Sequence, residues 1–201
     1  MEKIYGIGES LAKKITPILA GRDFKKHYKD PEIFDLLPAS TRAYMKYQPI
    51  ERIKRERIIP LASKIEKTGA IVAGSYRRGS EYCGDFDILI KKNQLMNLYK
   101  SAKFTKPHAE GEELIRCFIK ISPGVYMFAD IFIYEDLAPF LLYATGSKQF
   151  NKNMRGIAKS KGFKLNQHGL YKGSKKIICK TEEDIFEHLG MQYLEPHQRN
   201  I

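Results

Sequence analysis

The spacing of apolar residues changes character three times along the chain. In residues 10–15, Leu11 and Ile15 stand four apart, the interval of one helix face, and Thr16-Pro17 then predicts a break or restart. The charged run 51–57 leads into IIPLASKIEKTGA, where Ile59, Leu61 and Ile65 supply one face of an amphipathic helix expected to pack on a sheet. The pattern then shortens to strands over 70–73, 86–90, 116–122 and 125–134, separated by turn residues. Residues 93–104 return to helical spacing through Leu95, Leu98 and Tyr99. From Ala138 onward a third regime begins: TGSKQFNKNMRGIAKSKG predicts a helix, KLNQHGLYKGSKKIICK two short strands, and TEEDIFEHLG a closing helix capped by Thr181 with Asp184 three residues on. Strands alternating with helices predict a layered α/β (α+β) fold. Its expected parts are a helical subdomain over 1–57, a sheet over 58–140 and a basic α+β subdomain over 141–201.

The 201 residues are 43% hydrophobic and 29% charged, enough for a core and far from the composition of disorder. Thirty-five Lys and Arg against 23 Asp and Glu give a net charge of +12, which favours a polyanionic partner, nucleic acid before an acidic membrane surface. Ten of the basic residues fall between Leu141 and Lys180 with no Asp or Glu among them, more than solubility of a face requires. No run of ~18 apolar residues offers a membrane span. The N-terminus lacks an apolar secretory core, and Cys83, Cys117 and Cys179 are odd in number and widely spaced. A reducing intracellular setting is expected, nuclear, cytoplasmic or virion-associated, and not secretion. The absence of a Cys-x-x-Cys pair argues against structural zinc, so a metal is expected on carboxylates.

The chemistry concentrates in Gly74-Ser75-Tyr76-Arg77-Arg78-Gly79, followed at once by Gly84-Asp85-Phe86-Asp87. Two glycines and a serine after a strand form a turn whose amides approach phosphate oxygens, and Arg78 adds a charge-assisted contact. Asp85 and Asp87, two apart on a strand, share a face, while Phe86, Ile88 and Ile90 point into the core. A solvated acidic pair is the plainer reading. Against it stands Asp130, an acid inside the apolar run 125–134 that is costly to leave unpaired. If the two strands are neighbours, three carboxylates converge on magnesium or manganese, as needed for two ions ~3.5–4 Å apart. Glu110 and Glu112 form a rival pair in what reads as a solvated loop.

These residues resemble the family X DNA polymerases of the nucleotidyltransferase superfamily. GSYRRGSEYCGDFDILI is similar to the palm signature, LLYATGSKQFNKNMR to the segment entering the nucleotide-selecting subdomain, and EDIFEHLGMQYLEPHQR to the C-terminal segment. Gly6-Ile7-Gly8 with Ser10-Leu11-Ala12 is similar to the family's DNA-binding helix-hairpin-helix. The resemblance implies Asp85, Asp87 and Asp130 as ligands of two Mg2+ (or Mn2+) ions, with Asp130 near the primer 3′-hydroxyl. It implies Gly74, Ser75, Arg78, Gly84 and Arg52 around the incoming triphosphate, Tyr143, Thr145 and Gly146 under its sugar, and Asn151 at the base. Arg155 falls at the template strand, Gly6 and Gly8 at a DNA phosphate, and Lys159, Lys161 and Lys164 on the basic DNA-facing surface.

The implied activity is addition of dNTP-derived nucleotides to a primer in primer–template or gapped DNA, in short-gap repair, by a monomer that binds no membrane. The chain departs from the family pattern at Phe128, where relatives often carry an arginine two residues before the third aspartate, at Ala144, where an aromatic is usual, and at Lys148, where an acid is found. Nothing precedes the helix-hairpin-helix, so no lyase activity is expected. A template-independent nucleotidyltransferase and a non-catalytic basic DNA-binding module are the rival readings.

Overall fold

The computed structural model describes residues 4–200. The first part consists of helices α1 (Glu9–Leu19), α2 (Phe24–His27), α3 (Pro31–Phe34) and α4 (Ala39–Tyr47). They close on a core of Ile7, Ala12, Ile15, Leu19, Phe24, Ile33, Leu37 and Met45. Helix α1 runs through Pro17 instead of breaking there. The proline sits in the last turn, where its missing N–H forfeits a single bond. The helix then ends on Ala20 in the left-handed region, whose N–H returns to Thr16 and Pro17 carbonyls.

The central part comprises β1 (Ile53–Lys54), α5 (Arg55–Glu66), β2 (Ile71–Val72), α6 (Gly74–Arg77), β3 (Tyr82–Cys83), β4 (Asp85–Ile90), α7 (Leu95–Ser101), β5 (Ala109–Glu110), β6 (Leu114–Ser122) and β7 (Val125–Ile133). Five strands form one sheet in the order β2-β4-β7-β6-β5; only β4 and β7 run parallel. The buried stripe of α5 is Ile58, Ala62 and Ile65, at helical intervals of four and three, whereas the expected Ile59 is exposed. Phe86, Ile88 and Ile90 are fully buried beneath α5 and α7, on the face predicted for them. The segment around Glu110, read as a loop, contributes the short exposed edge strand β5.

The last part holds α8 (Leu137–Thr145), α9 (Lys148–Ser160), β8 (Phe163–Asn166), β9 (Gly169–Lys172), β10 (Lys175–Ile177) and α10 (Glu182–His188). Its sheet has three antiparallel strands rather than two, because Gly173 at φ +60° turns the chain a second time. The expected capping box is present: Thr181 Oγ1 accepts from the Asp184 N–H, and Asp184 accepts from the Thr181 N–H. The boundaries at 57/58 and 140/141 fall inside α5 and α8. Helix α8 in fact joins two cores: Phe140 and Ala144 pack with Ala73, Leu89 and Phe132 of the central part, while Ala138 and Leu142 pack with Phe150, Met154 and Phe186. No helix among the described residues is long and apolar enough to cross a membrane.

Candidate active site

The parallel pairing of β4 with β7 sets Asp87 directly opposite Asp130 and Asp85 opposite Phe128. Partners in register share a side of the sheet, so all three carboxylates stand on one face. They line a cleft of about 530 Å³ together with Ser75, Arg78, Phe132, Tyr143, Ala144, Gly146, Lys148, Asn151 and Arg155. The far end of this face is sealed by α8, which covers Leu89 and Phe132.

Crowding three acids in a partly dehydrated cleft disfavours their charged forms. The Asp87 carboxyl is held well above the usual range by burial first, then by the Asp85 and Asp130 charges, with Arg78 opposing. Asp85 is raised by burial and by Asp130; Asp130 is raised by burial and pulled back by Arg116. Among the described residues no three His, Cys, Asp or Glu side chains form a ready-made metal cage. The Asp130 carboxylate instead lies 3.5 Å from Arg116 Nε, its cross-strand neighbour on β6. The donor set is hard oxygen without nitrogen or sulfur, which fits a magnesium-sized cation able to relieve the repulsion.

Gly74 opens the one-turn helix α6 with φ +57°, and its missing side chain leaves room for Asp87. Ser75 Oγ is buried beside the Cys83 thiol and makes no geometrically sound hydrogen bond. Ser75 lines the cleft as the first residue after Gly74, so its backbone amide stands at the turn where a phosphate oxygen would approach. Arg78 donates from Nη1 to the Thr145 carbonyl at 2.5 Å and from Nε to Asn200 Oδ1 at 2.8 Å, so its guanidinium is fixed beside Asp85 and Asp87. Gly84 packs on the Glu51 carbonyl, which brings the exposed Arg52 segment alongside the start of β4.

Tyr143 is half exposed and stands edge-on to Phe132 and Phe140. Gly146 is joined to Ser147 by a cis peptide. Asn151 Nδ2 donates to the Tyr143 carbonyl at 2.7 Å, pinning α9 to α8, and Arg155 lies exposed one helical turn further on. One expected contact is placed elsewhere. Thr145 is fully buried, its Oγ1 accepting from Arg77 Nη1 at 2.7 Å, so its side chain faces away from the cleft. Lys161 is exposed and donates from Nζ to the Leu189 carbonyl, which caps α10. Lys159 and Lys164 are exposed. Gly6, at φ +76°, and Gly8, which caps α1 without a side chain, leave the first-turn amides of α1 uncovered by any cap.

Sequence reasoning missed a buried polar junction. Glu182, at the start of α10, accepts from Arg199 Nη1 at 2.6 Å and from Arg77 Nη2 at 2.7 Å. Arg199 is completely buried among Phe150, Phe186 and Tyr193. This junction fastens α6, beside the carboxylates, to the C-terminal subdomain. Arg116 was also missed; the only signal was its place on a strand preceding β7, and its register depends on a bulge between Lys120 and Ser122.

Paired carboxylates on one strand, a third on its parallel neighbour and a Gly-Ser turn beside them define a nucleotidyltransferase palm. The sequence pattern of the DNA polymerase beta palm matches residues 50–120, and that of the DNA polymerase beta thumb matches residues 140–200. The chain belongs to the family X DNA polymerases. DNA polymerase lambda of Rattus norvegicus is 27% identical over 234 residues, covering 100% of this chain and 38% of that protein. DNA polymerase lambda of Arabidopsis thaliana is 25% identical over 258 residues, covering 99% of this chain and 45% of that protein. The chain thus spans less than half the length of these curated relatives. The crystal structure of Leishmania infantum polymerase beta in a ternary P/T complex shares the fold, with a TM-score of 0.80 at 22% identity over 99% of this chain and 96% of that one.

Proposed function

We propose that the protein is a DNA-directed DNA polymerase that transfers a nucleotide from a dNTP to a primer 3′-hydroxyl, releases pyrophosphate and fills short gaps during DNA repair. The observation that carries this reading is the register of Asp87 against Asp130, with Asp85 on the same sheet face of a cleft bordered by Arg78. Two magnesium or manganese ions held by Asp85, Asp87 and Asp130 would supply charge neutralisation of the triphosphate and activation of the attacking oxygen. The protein's own part is positioning. Gly74, Ser75 and Arg78 bind the triphosphate through amides and a guanidinium, and Tyr143 and Gly146 lie under the sugar. The primer oxygen bonds to the α-phosphorus while the bond from that phosphorus to the pyrophosphate oxygen breaks. Asp130, opposite Asp87 on β7 and beside the primer position, is the carboxylate placed to accept the departing hydroxyl proton. The three free cysteines, two of them buried, suit a reducing intracellular compartment, and the protein acts there as a monomer.

Primer extension on templates presenting each base in turn, with magnesium or with a chelator, tests the reading. Metal-dependent incorporation that follows the template, lost in Asp87→Ala with duplex binding retained, is expected. Incorporation indifferent to template would convert the assignment to a template-independent nucleotidyltransferase. Binding without incorporation would leave a basic DNA-binding module.

A further inference from the structure

A second groove, of about 700 Å³, lies between the helical subdomain and the β5–β6 edge of the sheet. Its volume is within the ~300–1,000 Å³ of sites that enclose small molecules. Three half-exposed rings line it, Tyr28, Phe34 and Tyr47, with exposed Lys29, Lys46 and Lys106 around them and no acid. The His108 ring adds a fourth face, stacked on Phe118 at 5.0 Å; burial and nearby Arg116 lower its pKa and favour the neutral imidazole. Cations already sit over these rings: Arg42 is 4.6 Å from the Phe34 centroid and Lys46 5.1 Å from that of Tyr47.

The groove belongs to the same side of the sheet as the carboxylates. Asp130 and Phe128 alternate along one face of β7, and Arg116 and Phe118 stand opposite them on β6. Phe118 touches Phe128 on one side and Tyr47 and His108 on the other, with ring separations of 5.0, 5.6 and 5.0 Å. With ~3.3 Å per residue along a strand and ~4.8 Å between strands, the groove begins roughly 10–15 Å from Asp130. The fully buried ring of Phe118 packs between the two.

We propose that this groove is a single-strand nucleic-acid site, holding about two unpaired nucleotides with their bases against Tyr28, Phe34 and Tyr47 and their phosphates on Lys29, Lys46 and Lys106. Rings interleaved with cations and free of acids are what an unpaired strand requires: bases stack on the rings, and phosphates meet the ammonium groups. A duplex offers no free base faces, and the groove is too small to seat one. The site lies outside the catalytic cleft, and the inference rests on the polymerase reading only in taking nucleic acid as the partner.

The test is binding of a short oligothymidylate and of a blunt duplex to the full chain and to a Lys29→Glu/Lys46→Glu/Lys106→Glu variant, three exposed positions whose reversal spares both cores. Affinity for the single strand is expected to fall at least tenfold while that for the duplex changes less than about threefold, with template-directed incorporation retained. An equal loss for both would reduce the lysines to general attraction and overturn the proposal. In the second arm, an oligonucleotide carrying photoreactive halogenated uracil is crosslinked to the unmodified protein. Adducts on Tyr28, Phe34 or Tyr47 support the groove, and adducts confined to residues 141–155 overturn it while leaving the polymerase reading standing. Failure of the unmodified protein to bind either nucleic acid overturns both.

Discussion

Asp87 occupies the space that a side chain on Gly74 would need: a Cβ built on Gly74 falls 1.9 Å from Asp87 Oδ2. The backbone agrees with the crowding, because Gly74 has φ +57°, a left-handed conformation that costs an ordinary residue ~1–2 kcal/mol. Gly74→Ala must therefore displace the carboxylate or unwind α6. Incorporation is expected to fall at least a hundredfold, with a melting temperature lower by several degrees. Single-turnover extension and thermal unfolding read the two effects, and unchanged activity would remove Gly74 from the site.

Asp87 itself is costly to the metal-free fold. Burial and the Asp85 and Asp130 charges raise its pKa, so the folded chain keeps a proton that the unfolded chain has lost between the ordinary carboxylate value of ~3.9 and the raised one. Stability from this group is present at acid pH and is lost as pH rises through that window; Asp85 and Asp130 act in the same sense. Asp87→Asn removes the penalty. The metal-free variant should melt higher than the parent at pH 7–8, by ~2–4 °C for each kcal/mol recovered, and the gap should close as pH falls. A variant that melts lower at neutral pH contradicts the sign.

Much of this site was legible because period-two alternation in 85–90 fixes which side chains share a face, and one acid in the apolar run 125–134 demanded a partner. The register between strands was not. Counting outward from Ser122↔Val125 without interruption would oppose Asp130 to Cys117; the bulge between Lys120 and Ser122 shifts the ladder by one and brings Arg116 there instead. A one-residue slip turns every side chain over, and nothing in the residues announced it. The third C-terminal strand was missed because it is only three residues long and two of them are adjacent lysines, leaving Ile177 as its one apolar signal. The partners of Thr145 and Lys161 were not legible because short-range pattern places the two at the cleft and on the basic face, whereas Arg77 and the Leu189 carbonyl lie 68 and 28 residues away.

The cross-strand arginine leads to a prediction at the place where Phe128 departs from the family pattern. Arg116 holds Asp130 at 3.5 Å and adds positive charge where a divalent cation must settle. Both groups are partly exposed, so the pair adds little to stability. Its effect should fall on the metal: Arg116→Gln is expected to lower the concentration of Mn2+ giving half-maximal binding by about threefold or more at low salt. Titration followed by electron paramagnetic resonance measures it, and unchanged or weaker binding would show that Arg116 does not compete for Asp130.

The Glu182 junction predicts a large stability effect from residues that do not line the cleft. Arg199→Met leaves Glu182 with Arg77 alone and empties the cationic position among three aromatic rings. Removing one partner of a buried ion pair typically costs ~3–5 kcal/mol. Arg77 and Arg78 are adjacent, and Arg78 is anchored to Thr145 and Asn200, so loosening the joint should also raise the dNTP concentration needed for half-maximal rate. Denaturant unfolding and nucleotide titration of the same variant test both; a stable protein with an unaltered nucleotide requirement would assign the junction no part in fixing the cleft.

Arg155 offers the most specific expectation about the rate. It lies four residues after Asn151 on α9, so the two share a helix face, and both line the cleft. Asn151 is already committed to the Tyr143 carbonyl, whereas Arg155 is exposed on the wall facing the carboxylates. A guanidinium so placed can donate to the minor-groove edge or sugar of a template nucleotide once the C-terminal subdomain closes over a correct pair. A contact made chiefly in the closed state stabilises the transition state more than the initial complex, so its loss appears in the catalytic step. Arg155→Ala is expected to slow correct insertion by ~10–100-fold while weakening primer–template affinity less than about threefold. Arg155→Lys should recover little of the rate, since an ammonium keeps the charge and loses the planar donor pair. Single-turnover incorporation beside equilibrium DNA binding separates the outcomes: an unchanged insertion rate with weakened binding would make Arg155 an ordinary phosphate contact, one more cation on a surface that already carries many.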